Sequence, residues 1–111
     1  MISWQRVNEL RDEVGQDDFH EVVELFLEEV DDVIERLRVE PNPTTFADDM
    51  HFLKGGAMNL GFSDFCTACE TVEALIVQNS LSSIDIPSLI TTYETSRSEF
   101  LKGCDGFSVA V

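Results

Sequence analysis

Apolar residues recur along most of this chain at helical spacing, and the strict alternation that marks strands is absent. The clearest segment runs from Asp17 to Val39, DDFHEVVELFLEEVDDVIERLRV. Its Phe19, Val22, Val23, Phe26, Val30, Val33, Ile34 and Leu37 fall on one side, which predicts a long helix with that stripe buried. Its acidic residues cover the rest as a solvated face. Before it, Ser3 to Val14 sets Trp4, Val7, Leu10 and Val14 on one side of a shorter helix, with Ser3 as N-cap and Gly15 as breaker. The prolines of Glu40-Pro41-Asn42-Pro43 force a turn. A third helix is predicted from about Thr44 to Leu60, stopped by Gly61. A fourth runs from Ser63 to about Asn79, with Phe65, Ala68, Cys69, Val72 and Ile76 inward. SLSSIDI reads as a loop, and Pro87 opens a fifth helix carrying Leu89, Ile90, Tyr93, Phe100 and Leu101. That helix is expected to fray near Gly103, leaving GFSVAV in a loose tail. Four long amphipathic helices with short connections predict an all-α fold, an antiparallel four-helix bundle with an additional short N-terminal helix. The chain reads as one domain over residues 1–111, with its core at about 17–102.

Composition narrows the partners. There are 22 acidic residues against 7 basic ones, a formal net charge of −15. Such a field repels phosphate backbones and anionic lipid, so neither nucleic acid nor a membrane surface is an expected partner. It does not imply disorder, because the acids are interleaved with periodic apolar residues. No apolar run is long enough to span a bilayer, and MISWQRVNELRDE lacks the basic-then-apolar order of a signal peptide. Three cysteines, an odd number, make no disulfide framework, which points to a reduced, cytoplasmic setting.

Within the third helix, HFLKGGAMNLG (His51 to Gly61) carries two adjacent glycines, each weakening a helix interior by roughly 1 kcal/mol relative to alanine. On a helical wheel Phe46, Met50, Leu53, Ala57 and Leu60 lie within about 40° of a common direction, the core face. His51 lies about 140° from it, Gly55 about 180°, and Lys54 and Met58 at about 80° and 120°, on the same side as His51. His51 is therefore expected on the outside. Lys54 at i+3 can reach an anion attached to the imidazole, and Gly55 at i+4 leaves nothing projecting beside the ring. Gly56, on a flank, fits close approach of a neighbouring helix.

These residues resemble the histidine-containing phosphotransfer (HPt) domain family of two-component phosphorelays. Its motif is a histidine, any residue, a leucine-like residue, Lys-Gly, small residues, then an apolar residue and Gly. The chain supplies His51, Leu53, Lys54, Gly55, Gly56, Ala57, Leu60 and Gly61 in that order. Phe26-Leu27-Glu28-Glu29 with Leu37 is similar to the family's acidic second helix, and Cys69 with Val72-Glu73 to the segment that follows the motif. The resemblance implies a phosphocarrier whose His51 accepts a phosphoryl group from a receiver-domain aspartate and passes it to another, with Lys54 stabilising it. It implies response-regulator receiver domains and a hybrid sensor kinase as partners, no cofactor of its own, Mg²⁺ on the receiver, and a monomer. By analogy Gly55, Phe52, Met58 and Met50 belong to the docking surface. Phe62 suits either docking or inter-helix packing. Two departures stand out. Met50 replaces the usual small residue before the histidine. Where many members carry Gln or Arg on the next helix, the nearest candidates here are Glu70, Glu73 and Gln78.

Other constellations are weaker. Cys66-Thr67-Ala68-Cys69 has CxxC spacing, but no further ligands stand at sensible spacing, so no metal site is expected. Cys69 reads as an apolar filler and His20 as a solvated residue. Asp48, three residues before His51, is a candidate to hydrogen-bond its ring. The chain lacks a glycine-rich phosphate loop followed by Lys and Ser or Thr, and is too small for a kinase ATP domain, so no autokinase activity is expected. The rival reading is an HPt-like helical adaptor that binds a signalling partner without being phosphorylated.

Overall fold

A computed structural model describes residues 2–104 of the chain. They form five α-helices: α1 (Trp4–Val14), α2 (Gln16–Val39), α3 (Phe46–Leu60), α4 (Ser63–Val77) and α5 (Ile86–Gly103). The connections are short. Consecutive long helices therefore run antiparallel, each packs on the next, and α2 closes the ring against α5. The shorter α1 lies against α2 and α3. Among the described residues there is no strand, only an isolated bridge between Ile2 and Phe62, and no helix is long and apolar enough to cross a membrane. The predicted tail GFSVAV lies outside the described residues.

The core stripe of α2 is narrower than its sequence pattern. Val23, Leu27, Val30, Ile34 and Leu37 are fully buried, whereas Val22, Phe26 and Val33 are half-buried at its margins. That four–three spacing is the seam along which bundle helices interlock, and it includes Leu27, absent from the predicted stripe. The predicted start of the third helix also shifts. Pro43–Thr45 forms a 3₁₀ turn, with Asn42 accepting from the Thr44 N–H, and the α-helix begins at Phe46. The fourth helix ends at Val77, because Asn79 adopts a left-handed φ of 58°. Leu81–Ser83 then forms a second 3₁₀ turn inside the predicted loop, and Asp85 caps α5 through the Ser88 N–H.

Two polar clusters tie the helices together. Arg36 near the end of α2 donates both guanidinium nitrogens to Asp49 of α3, at 2.7 and 3.1 Å, and the Thr45 hydroxyl adds a third bond at 2.9 Å. Asp49 is 6% exposed, so this forked pairing keeps a buried carboxylate from being unmatched. The hydrogen bond and charge of Asp49 in turn raise the pKa of Arg36. On the other side Asp31 of α2 accepts from the Tyr93 hydroxyl and from Arg97 on α5. Phe62, Phe65, Tyr93 and Phe100 pack as an aromatic group, with Trp4 stacked on Phe100. Phe62, 1% exposed, is thus inter-helix packing.

Candidate functional site

The site is built on α3, whose two ends are fixed by different means. At its start, the Arg36–Asp49 fork and Thr45 hold the first turn, just before His51. At its end, Gly61 takes the left-handed conformation (φ 75°), and its N–H returns to the Ala57 carbonyl. The Gly61 carbonyl accepts from the Ser3 N–H at 2.6 Å, and a Cβ on Gly61 would lie 2.6 Å from the Ser3 carbonyl oxygen. Arg6 of α1 adds bonds to the Met58 carbonyl and the Asn59 side chain. The helix carrying His51 is pinned at both ends, which suits a residue that must be presented in one orientation.

Between these anchors His51 is exposed, and among the described residues no side-chain hydrogen bond or ion pair engages its ring. Asp48 is also exposed and makes no hydrogen bond to His51, so the expectation that it orients the ring is corrected. At a solvent-facing i, i+3 position, immobilising two side chains opposes what one exposed bond returns. Met50 is a second correction. It is 0% exposed and belongs to the core, not to a docking surface. Its place one residue before His51 rotates it roughly 100° toward the bundle interior, so adjacency in sequence is not adjacency on the surface.

The remaining candidates lie where a partner can reach them. Phe52 is 42% exposed and Met58 59%. A Cβ added at Gly55 would meet nothing within 4 Å, so the backbone beside the histidine is bare and open. Gly56 behaves differently: a Cβ there would lie 2.9 Å from Val30 Cγ2 on α2, which makes it the close-approach point of the two helices.

Lys54 is half-buried, and its Nζ sits 2.8 Å from Oε1 of Glu73 on α4. This hydrogen bond, joined by the charges of Glu73 and Glu70, raises the lysine pKa and fixes it as a cation. Glu73 was among the acids noted on the fourth helix, but its pairing with Lys54 is new. It depends on how α3 and α4 slide past each other, a register that no local pattern encodes. The Asp49 fork was also missed. Its one signal is that Asp49 lies only about 60° from the core direction on the wheel, an unusual position for a carboxylate.

Elsewhere, Cys69 is buried and its thiol is pushed up to about 12 by burial, an unreactive state for this half of the CxxC pair. His20 pairs with Glu24 at 2.8 Å. Among comparisons with known proteins, the Hpt domain family matches residues 21–94, a span covering most of α2, all of α3 and α4, and the first half of α5. No curated protein and no solved structure matches the chain.

Proposed function

The chain belongs to the Hpt domain family, and from that premise we propose that it is a histidine phosphocarrier with His51 as the phosphoacceptor. Hpt domains are phosphotransfer intermediates of phosphorelays, not kinases, and their partners are receiver domains. The observation that carries the residue assignment is the exposed, unpaired ring of His51 beside open backbone at Gly55, inside the matched span.

The chemistry follows from the residue. A neutral imidazole nitrogen attacks the phosphorus of a receiver's aspartyl phosphate, forming an N–P bond while the O–P bond breaks and aspartate leaves as a carboxylate. Attack by a second receiver's carboxylate reverses these changes and regenerates the imidazole. Because both steps occur at an exposed ring, a receiver has to enclose it, and Gly55, Phe52 and Met58 form the surface it meets. Mg²⁺ bound in the receiver's own pocket neutralises charge on the transferred group. Lys54 stands three residues from His51, on the same side of the helix, as the cation within reach of the phosphoryl oxygens. A hybrid sensor kinase supplies the phosphoryl group upstream, and the carrier acts as a monomer.

Incubation with a phosphorylated receiver tests this reading. Acid-labile, base-stable phosphate is expected on the wild-type chain and not on His51→Gln. Tight receiver binding without any phosphate on the chain would favour an adaptor instead.

A further inference from the structure

Lys54 is not idle before phosphorylation. Its ammonium is already held 2.8 Å from Glu73, with both side chains 28% exposed, and Glu70 stands close enough to act on the same charge. We propose that Glu73 is a positioning residue that sets the poise of phosphoryl transfer by competing with the phosphoryl group on His51 for Lys54. This rests on the reading of His51 as phosphoacceptor.

The competition has a simple basis. A phosphoryl group carries about −1.5 to −2 charges at neutral pH, and its nearest cation on α3 is Lys54, one turn from His51. That ammonium faces two anionic claims, one from the phosphoryl oxygens and one from a carboxylate fixed on α4. If Lys54 stays with Glu73, the phosphoryl group lacks its cation. If Lys54 moves, the half-buried Glu73 loses its own partner next to Glu70. Either way the phosphorylated state is less favourable than it would be with a neutral residue at position 73. The consequence is a phosphohistidine that gives its group away readily, a relay intermediate and not a store. A glutamine there would release Lys54 to the phosphoryl group while keeping the side-chain shape.

The test measures the equilibrium constant for transfer from a phosphorylated receiver to the chain, at fixed pH and ionic strength. The variants are Glu73→Gln, Lys54→Ala and the double variant, with circular dichroism checking that each folds. Glu73→Gln is expected to shift the equilibrium toward phospho-His51 by about two- to fivefold, within the range that exposed ion pairs contribute. The decisive comparison is the loss caused by Lys54→Ala, expected to be small in the wild-type background and severalfold larger beside Glu73→Gln. Equal losses in both backgrounds, or no shift from Glu73→Gln, would overturn the competition while leaving His51 as acceptor. Phosphoramidate, a small donor that needs no receiver, separates the two levels. If the wild-type chain takes phosphate from neither source, the phosphocarrier reading falls, and this inference with it.

Discussion

The glycine pair beside the histidine makes a sharp test, because neighbouring positions on one helix should respond with opposite sign. Gly55→Ala adds a methyl group into open space, with nothing within 4 Å. Relieving a helix-interior glycine should stabilise the fold by about 0.8–1 kcal/mol, partly by restricting the unfolded chain. In a domain of this size that raises Tm by roughly 4 °C. Gly56→Ala gains the same propensity but sets its methyl 2.9 Å from Val30 Cγ2. Val30 is 3% exposed and β-branched in a helix, so it has no free rotamer to turn into. Overpacking of this kind costs about 1–3 kcal/mol, leaving Gly56→Ala between neutral and about 2 kcal/mol destabilising. Urea denaturation of both variants measures the difference. Repeating Gly56→Ala in a Val30→Ala background should turn it stabilising, because the clashing methyl is gone. Destabilisation by Gly55→Ala, or an equal gain from Gly56→Ala in the wild-type background, would refute the assignment of separate roles to the two glycines.

Three further expectations concern the core that presents the site. Met50→Ala should lower stability by about 2–5 kcal/mol in chemical denaturation, as truncation of a fully buried side chain does; a loss well under 1 kcal/mol would return Met50 to the surface. Stability should also fall in alkali. Burial pushes the Cys69 thiol from its ordinary 9.0 up to about 12, and burial with the bond to Asp31 raises the Tyr93 hydroxyl. Both groups keep their protons longer in the folded chain, so the folded state binds more protons than the unfolded one as pH rises. This contribution is therefore full below about pH 9 and lost progressively above it, and Cys69→Ala should flatten the early part of the decline in urea midpoints between pH 7 and 11. Finally, a Cβ at Gly103 would clash with Cζ2 and Cη2 on the ring edge of Trp4, the single tryptophan, so Gly103→Ala should push Trp4 off Phe100 and shift its fluorescence to the red.

Helix order and the exposure of His51 were legible because both follow from periodicity on single helices. The same wheel that placed His51 outside put Met50 on the core face, and the bundle agrees with the wheel against the motif-based analogy that set Met50 on the docking surface. Boundaries were less legible where side-chain bonds decide them: the Asn42 cap produces a 3₁₀ turn where the third helix was expected to begin. Least visible were the pairings between helices. Arg36–Asp49 and Lys54–Glu73 each join residues from two elements whose relative register is set by core packing, so local spacing names neither partner, and only the near-core wheel position of Asp49 hints at one of them. The second of these bears most on function, since it engages the lysine one turn from His51.

In the proposed relay, phosphate moves through His51 and not merely past this chain. A two-receiver relay measures it directly: one receiver is loaded with labelled phosphate, the chain is added in a catalytic amount, and label is followed onto a second receiver. Wild-type chain is expected to carry label across, whereas His51→Gln, folded to the same helicity, is expected to carry none. Equal transfer by His51→Gln would contradict this route.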